Sequence, residues 1–338
     1  MAKYKVLYTD TGMADVMVER DVLAKADAEL VMASSIDEET LIAEGIDCDG
    51  VMIEYAEINA RILDAWGERG KVKVIGRQGI GVNNIDVEAA TRNNIMVANV
   101  PDYCLEEVAD HTMTLALNVL REIKSFGKRM EKGDFEEHSM RPIFRLRDRN
   151  FCVYGFGNIA KRVIKRAQAF GFHTFTYDPF VSDEELNEYN TTKVESLYEL
   201  AGLADVFSIH VPLVESTKHS VNNDIFKCMK ASCVVINTAR GQIIDGNDLL
   251  EALRDNVIAG AGLDVFEQEP LDSSNPLLQM DNVSVTPHIS WYSEEANTEL
   301  RTRLAENMTL TFMTGKPRSF VNRETLIKYR QLISKNIR

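Results

Sequence analysis

Basic residues are in short supply in this 338-residue chain: 38 Lys+Arg stand against 52 Asp+Glu, a formal charge of −14. That balance opposes binding to phosphate backbones, so a nucleic-acid partner is not expected. Cysteine is scarce as well. Cys48, Cys104, Cys152, Cys228 and Cys233 are odd in number and form no C-x-x-C pair. They fit reduced, packed thiols in a cytoplasmic protein better than a disulfide framework or a metal site. No apolar run approaches the ~20 residues that span a bilayer, which excludes a membrane protein. The opening MAKYKVLYTD breaks its apolar residues with Lys3, Lys5 and Asp10 and reads as a first strand, not a signal peptide. Internal repeats and low-complexity linkers are lacking too. What is present is an apolar fraction of 45%, ample for packed cores. The length suggests two domains, because one core stops growing near about 250–300 residues.

Short apolar runs alternate with helical periodicities. KVLYTD (5–10), ELVMAS (29–34), GVMIEY (50–55), KVKVIG (71–76) and IMVANV (95–100) read as buried strands, separated by amphipathic stretches such as Ile58 to Arg69. Strands that alternate with helices imply a parallel sheet. One long helix is predicted next: Glu106, Glu107 and Asp110 lie at its start, and Lys124, Lys128, Arg129 and Lys132 before Gly133 at its end, as the helix dipole favours. A second alternation follows in FCVYGFG (151–157), FHTFTYD (172–178), DVFSIHV (205–211), SCVVINT (232–238), GAGLDVF (260–266) and NVSVTPH (282–288). The stretch Ser293 to Thr314 reads as a long helix, stopped by Gly315 and Pro317, that returns to the first domain. The expected division is residues 1–100 plus 291–338 for one domain and 101–290 for the other. From Lys316 the chain turns basic, with Arg318, Arg323, Lys328, Arg330, Lys335 and Arg338 against Glu324, which reads as a solvated terminal segment.

Gly155-Phe156-Gly157-Asn158-Ile159-Ala160, between a strand and a helix, is a dinucleotide fingerprint in its G-x-G-x-x-G/A form. Gly155 allows the turn, Gly157 the approach of a pyrophosphate, and Ala160 the helix–sheet packing; Asn158 and Ile159 open the helix. Asp178 closes the next strand, where an acid accepts hydrogen bonds from ribose hydroxyls and repels a 2′-phosphate. With Pro179 and Phe180 after it and no arginine, NAD is favoured over NADP. The competing reading of Asp178 is a turn residue before proline.

Arg240 (in NTARG), Glu269 (in FEQEP) and His288 each follow a predicted strand of the second sheet. Strand C-termini gather along one edge of an open α/β sheet, so the three can converge. Singly they have ordinary readings: a surface arginine, loop polarity, a buried histidine. Jointly, beside a nucleotide fingerprint, they favour chemistry.

GFGNIA, YDP, HVPL (210–213), INTARG, GLDVFEQEP and TPHIS, with GIGVNNID (79–86), resemble the D-isomer-specific 2-hydroxyacid dehydrogenase family from about residue 70 to 315. His288 to Glu294 is similar to the C-terminal binding protein branch, whereas VFEQEP and RQGIGVNNID also suit phosphoglycerate dehydrogenase-like members. The resemblance implies an α/β fold of two doubly wound parallel-sheet domains, a Rossmann dinucleotide-binding domain inserted into a flavodoxin-like substrate-binding domain. It implies an NAD-dependent oxidoreductase and homodimer acting on a small (R)-2-hydroxy or 2-oxo acid, 3-phosphoglycerate or hydroxypyruvate among them. Arg240 would hold the substrate carboxylate, aided by backbone N–H groups at Gln78 and Gly79. His288 would exchange the proton, oriented by Glu269. His210, Thr238 and Asp264 would line the cofactor cleft with Asn237. Trp291 would lie near substrate or serve as packing. Arg77 would read a phosphate or pair with an acidic neighbour. The alternative is an NADH-sensing interaction protein. With the chain running out at Arg338 soon after the return helix, no appended regulatory module is expected.

Overall fold

The computed structural model describes residues 2–139 and 141–325. Contacts divide the chain into two compact units, Met1–Tyr103 together with the chain from Ser293 onward, and Cys104–Tyr292.

The first unit alternates β1 (Tyr4–Tyr8), α1 (Met17–Ala24), β2 (Ala28–Met32), α2 (Glu38–Gly45), β3 (Gly50–Ile53), α3 (Ala60–Arg69), β4 (Val74–Arg77), α4 (Val87–Arg92) and β5 (Met96–Ala98). All pairings are parallel, in the order β2-β1-β3-β4-β5. This is the flavodoxin-like doubly wound order. Every residue of β3 is buried, as a strand covered on both faces requires. Local chemistry sets the helix ends. Asn59 caps α3 by accepting the Ile62 N–H at 3.1 Å, and Gly70 stops it in a left-handed conformation. Between those caps Trp66 is wholly buried, and its indole N–H reaches the Leu41 carbonyl at 3.1 Å.

The return helix is α12 (Glu294–Thr314), capped by Ser293 and ended by left-handed Gly315. It packs on α1 and β4 of the first unit, the return expected once the second sheet is complete. In its middle Arg301 is buried and forks onto Glu19, which has no exposed surface. The two contacts are 2.8 Å each, and Asp15 accepts a third at 2.9 Å. Lys316, Arg318 and Arg323 follow; the rest of the basic run lies outside the described residues.

The second unit opens with α5 (Leu105–Leu120) and α6 (Ile123–Glu131). A single helix was expected here, and the chain breaks it at Glu122. That residue takes φ +54°, and its carboxylate is buried against Arg141 Nε at 2.8 Å. A left-handed residue cannot continue the helix, so the ion pair is bought with a turn. Next come β6 (Asn150–Tyr154), α7 (Asn158–Ala169), β7 (His173–Tyr177), α8 (Asp183–Glu188), β8 (Thr192–Lys193), α9 (Leu197–Leu203), β9 (Val206–Ile209), α10 (Asn223–Cys228), β10 (Val234–Asn237), α11 (Gly246–Arg254), β11 (Gly260–Leu263) and β12 (Val283–Val285). The parallel sheet runs β12-β11-β10-β9-β6-β7-β8, the Rossmann order with one added strand. Its direction of winding reverses between β6 and β9. The two-residue edge strand β8 has no apolar run to announce it. No helix among the described residues is long and apolar enough to cross a membrane.

Removing the Arg301 guanidinium would leave Glu19 charged and unpaired in a closed interior. Arg301→Ala is expected to cost about 3–5 kcal/mol in chemical denaturation. A loss below about 1 kcal/mol, the range of exposed ion pairs, would show that the pair does not hold α12 to α1.

Candidate active site

The winding reversal places the ends of β6 and β9 side by side. Gly155 leaves β6 at φ +94°, and a Cβ there would meet Val211 Cγ1 at 2.8 Å and the His210 carbonyl group at 3.0 Å. Only glycine fits both the backbone angle and that approach. Gly157 differs: its φ of −75° suits any residue, yet nothing lies within 4 Å of where its Cβ would be. The space is open, and Gly157 caps α7 without a side-chain hydrogen bond to the helix. The N–H groups at Asn158 and Ile159 therefore begin a helix whose positive end faces unfilled space, the arrangement that receives a pyrophosphate.

Asp178 follows β7 and turns back to the glycine loop. Its Oδ2 accepts the Phe156 N–H and its Oδ1 the Phe180 N–H, each at 2.8 Å. The turn reading of this residue is the one its contacts show. It orders the turn, and each oxygen keeps a lone pair for a ribose hydroxyl. His210 follows β9, its Nε2 2.8 Å from the Ser208 hydroxyl. Burial pulls its imidazole down to about 3, so the ring stays neutral. The Thr238 hydroxyl pairs with that of Thr112 at 2.9 Å.

Arg240 sits just beyond β10 on a turn fastened by Asn237, whose amide donates to the Arg240 carbonyl and accepts the Ala239 N–H. At Gly241 a Cβ would collide with the backbone of Phe266 and Glu267. The absent side chain lets the loop after β11 press against the arginine turn. That loop carries Glu269, whose Oε1 accepts the Phe266 N–H at 2.9 Å and whose Oε2 accepts Nδ1–H of His288 at 2.7 Å. Partial burial pushes the Glu269 carboxyl up, but the His288 hydrogen bond and charge, the Phe266 N–H and the positive field of Arg240 outweigh it, and the net shift is downward. Guanidinium, carboxylate and imidazole thus share one rim of the second unit. The imidazole Nδ1 is occupied, which leaves Nε2 for chemistry.

His288 adopts φ +54°, a backbone strained for a residue with a side chain. Asp264 holds it there. This fully buried carboxylate accepts the Thr286 hydroxyl at 2.6 Å and the Ile289 and Ser290 N–H groups at 2.9 Å, and its own carbonyl accepts the His288 N–H at 2.8 Å. His111, on α5, completes the set with Nε2 2.9 Å from the Thr286 hydroxyl. Asp264, expected along the cofactor cleft, has as its structural partners the turn that bears His288. His111 and Thr112 were missed by sequence reasoning. The signal was a polar pair inside a helix of otherwise apolar spacing, VADHTMTLAL. Trp291 packs edge-on to Tyr292, with centroids 5.3 Å apart.

Arg77, Gln78 and Gly79 belong to the first unit, at the end of β4. Arg77 Nη1 donates to the Gln78 carbonyl at 2.7 Å, and the Gln78 side-chain oxygen accepts the Tyr8 hydroxyl.

The sequence pattern described as D-isomer specific 2-hydroxyacid dehydrogenase, NAD binding domain, matches residues 113–290. The chain belongs to this family. A D-3-phosphoglycerate dehydrogenase of Methanocaldococcus jannaschii is 36% identical over 304 residues, 90% of this chain and 56% of that protein. A glyoxylate reductase of Korarchaeum cryptofilum is 32% identical over 285 residues, 83% of this chain and 84% of its own. The chain therefore spans about half the length of the phosphoglycerate dehydrogenases it matches. Among solved structures, the D-lactate dehydrogenase of Aquifex aeolicus, complexed with NAD and lactic acid, superposes with a TM-score of 0.81 at 28% identity, covering 94% of this chain and 99% of that one. The fold is that of the family, a Rossmann domain inserted into a flavodoxin-like one.

The open space before α7 generates a test that separates binding from folding. Gly157→Val adds a side chain where nothing stands, at a backbone angle any residue adopts, at the cost of a weaker helix cap. It should lower the melting temperature by only a few degrees and weaken NADH binding at least about tenfold, a loss of about 1.4 kcal/mol by calorimetry. Unchanged affinity would remove the cofactor from this turn.

Proposed function

We propose that the protein is an NAD-dependent D-2-hydroxyacid dehydrogenase that interconverts a small (R)-2-hydroxy acid and its 2-oxo acid. The observation that carries this reading is the 2.7 Å contact between His288 Nδ1 and Glu269, with Arg240 on the same rim. The glycine turn, the start of α7 with no side-chain cap and Asp178 suit a dinucleotide without a 2′-phosphate, with His210, Thr238 and Asp264 assigned to its surroundings. When bound, NAD supplies the hydride chemistry through its nicotinamide.

The chain's own residues do the rest. Arg240 presents a planar two-pronged donor to the substrate carboxylate and polarises the 2-oxo oxygen. His288 gives the proton on Nε2 to that oxygen during reduction and takes it from the hydroxyl during oxidation. Glu269 fixes the ring and stabilises its protonated form through Nδ1. The backbone N–H groups at Gln78 and Gly79, expected to grip the substrate carboxylate, are already spent on the Ile53 and Arg77 carbonyls at 2.8 and 2.9 Å and are not available to it in this conformation; Arg77 is assigned to substrate on chemical grounds, and Trp291 to its neighbourhood. 3-Phosphoglycerate and hydroxypyruvate are both candidate substrates. The Arg240, Glu269 and His288 set does not itself separate this reading from an NADH-sensing interaction protein; the named relatives above, which are enzymes, favour the dehydrogenase.

We assign the protein to the cytoplasm and to a homodimer. What supports the dimer is the exposure of the large apolar side chains Ile123, Met130 and Phe135 within a short stretch of sequence.

Turnover of 2-oxo acids with NADH tests the reading. His288→Asn should lower kcat by about two orders of magnitude or more while sparing NADH affinity. Glu269→Gln, which replaces the carboxylate that accepts Nδ1–H of His288, should lower kcat about tenfold or more while sparing NADH affinity. No turnover above an Arg240→Ala control would overturn the reading.

A further inference from the structure

The loop after β11 is gripped by two histidines. Glu269 meets His288, and Glu267, two residues earlier, meets His219. His219 Nε2 lies 2.5 Å from Glu267 Oε1, while Glu267 Oε2 accepts the Gly246 N–H, at the start of α11, at 3.2 Å. The Glu267 carbonyl accepts the side-chain N–H of Gln242 at 3.1 Å. Glu267 thus takes three hydrogen bonds from outside its own loop.

These donors tie together the segments that leave β9, β10 and β11. His219 N–H donates to the Gln242 carbonyl at 2.9 Å and Val221 N–H to the Ile243 carbonyl at 3.1 Å, so the segment after β9 is stitched to the one that carries Arg240. A Cβ on Gly246 would stand 2.6 Å from Glu267 Oε2, so the carboxylate sits directly against the helix start. His219 adopts φ +49°, a conformation that a residue with a side chain keeps only where its surroundings fix it. Its Nδ1 is 3.8 Å from Asp245, which caps α11. Both His219 and Glu267 are half-exposed. A pair this open to water adds little to global stability, so its consequence is local.

We propose that Glu267, held by His219, is a positioning residue that fixes the loop from which Glu269 orients His288. The inference rests on the proposed function and deepens it. Two residues of chain span at most about 7 Å, so an anchor at Glu267 limits how far Glu269 can drift. The Glu269–His288 hydrogen bond, at 2.7 Å, weakens once that drift reaches several tenths of an ångström. His219 needs only an N–H on Nε2, which a neutral imidazole provides, and it touches none of the reacting atoms.

The test measures kcat and KM for NADH-dependent reduction of hydroxypyruvate, glyoxylate and pyruvate, with the His288 Nδ1–H proton signal in 15N-histidine-labelled protein. It compares the intact protein with Glu267→Ala, His219→Ala and His219→Gln, whose amide N–H can reach Glu267 in place of the imidazole. Glu267→Ala and His219→Ala should lower kcat at least about fivefold, leave KM for NADH within about twofold and weaken the His288 signal. His219→Gln should restore kcat to within about twofold of the intact protein. Melting curves establish that each variant is folded; if Glu267→Ala is not, the two His219 variants decide. Unchanged kcat in a folded alanine variant, a lowered kcat with the His288 signal intact, or His219→Gln no better than His219→Ala overturns the inference while leaving the dehydrogenase reading in place. Reduction of none of these acids by the intact protein above the Arg240→Ala control overturns that reading and the inference with it.

Discussion

One buried carboxylate sets the geometry on which the rest depends. A charge without solvent contact is tolerable only where donors surround it. Asp264 meets that demand with a hydroxyl and two backbone N–H groups, all from the short segment 286–290. Satisfying it forces that segment into a tight turn. His288 consequently stands in a left-handed conformation it would not choose alone, and its ring meets Glu269. The proton donor is oriented by the electrostatic requirement of a carboxylate closed off from solvent, and rigid support of this kind is what precise positioning needs.

The same sheet solves a second problem. The protein carries a strong net negative charge, yet a dinucleotide and a hydroxy acid are both anions. Attraction must come from local donors. The start of α7 and the guanidinium of Arg240 supply them at the carboxyl ends of β6 and β10, where a winding reversal leaves the strand ends accessible. His210, next to that reversal, stays neutral and adds no charge of its own.

Much of this was legible in the sequence. Fully apolar strand runs and the glycine fingerprint report on burial and backbone angle, which are local properties, so the parallel strands, α7 and the Arg240, Glu269 and His288 set could be read in advance. The break at Glu122 could not, because it depends on Arg141, distant in the chain. Nor could β8, whose two residues at the sheet edge carry no apolar run. Asp264 was visible as a strand-end acid, but its donors arrive from residues 286–290, and His111 from α5.

The central claim is that the Asp264 carboxylate holds the imidazole of His288 in its productive pose. The most direct measurement is the proton NMR signal of His288 Nδ1–H in 15N-histidine-labelled protein, compared between the native chain and Asp264→Asn with kcat measured on the same samples. An amide would turn N–H donors toward N–H donors. The strongly hydrogen-bonded signal should be lost, and kcat should fall about a hundredfold or more, in a variant that stays folded. A folded variant with that resonance and its turnover both intact would contradict it.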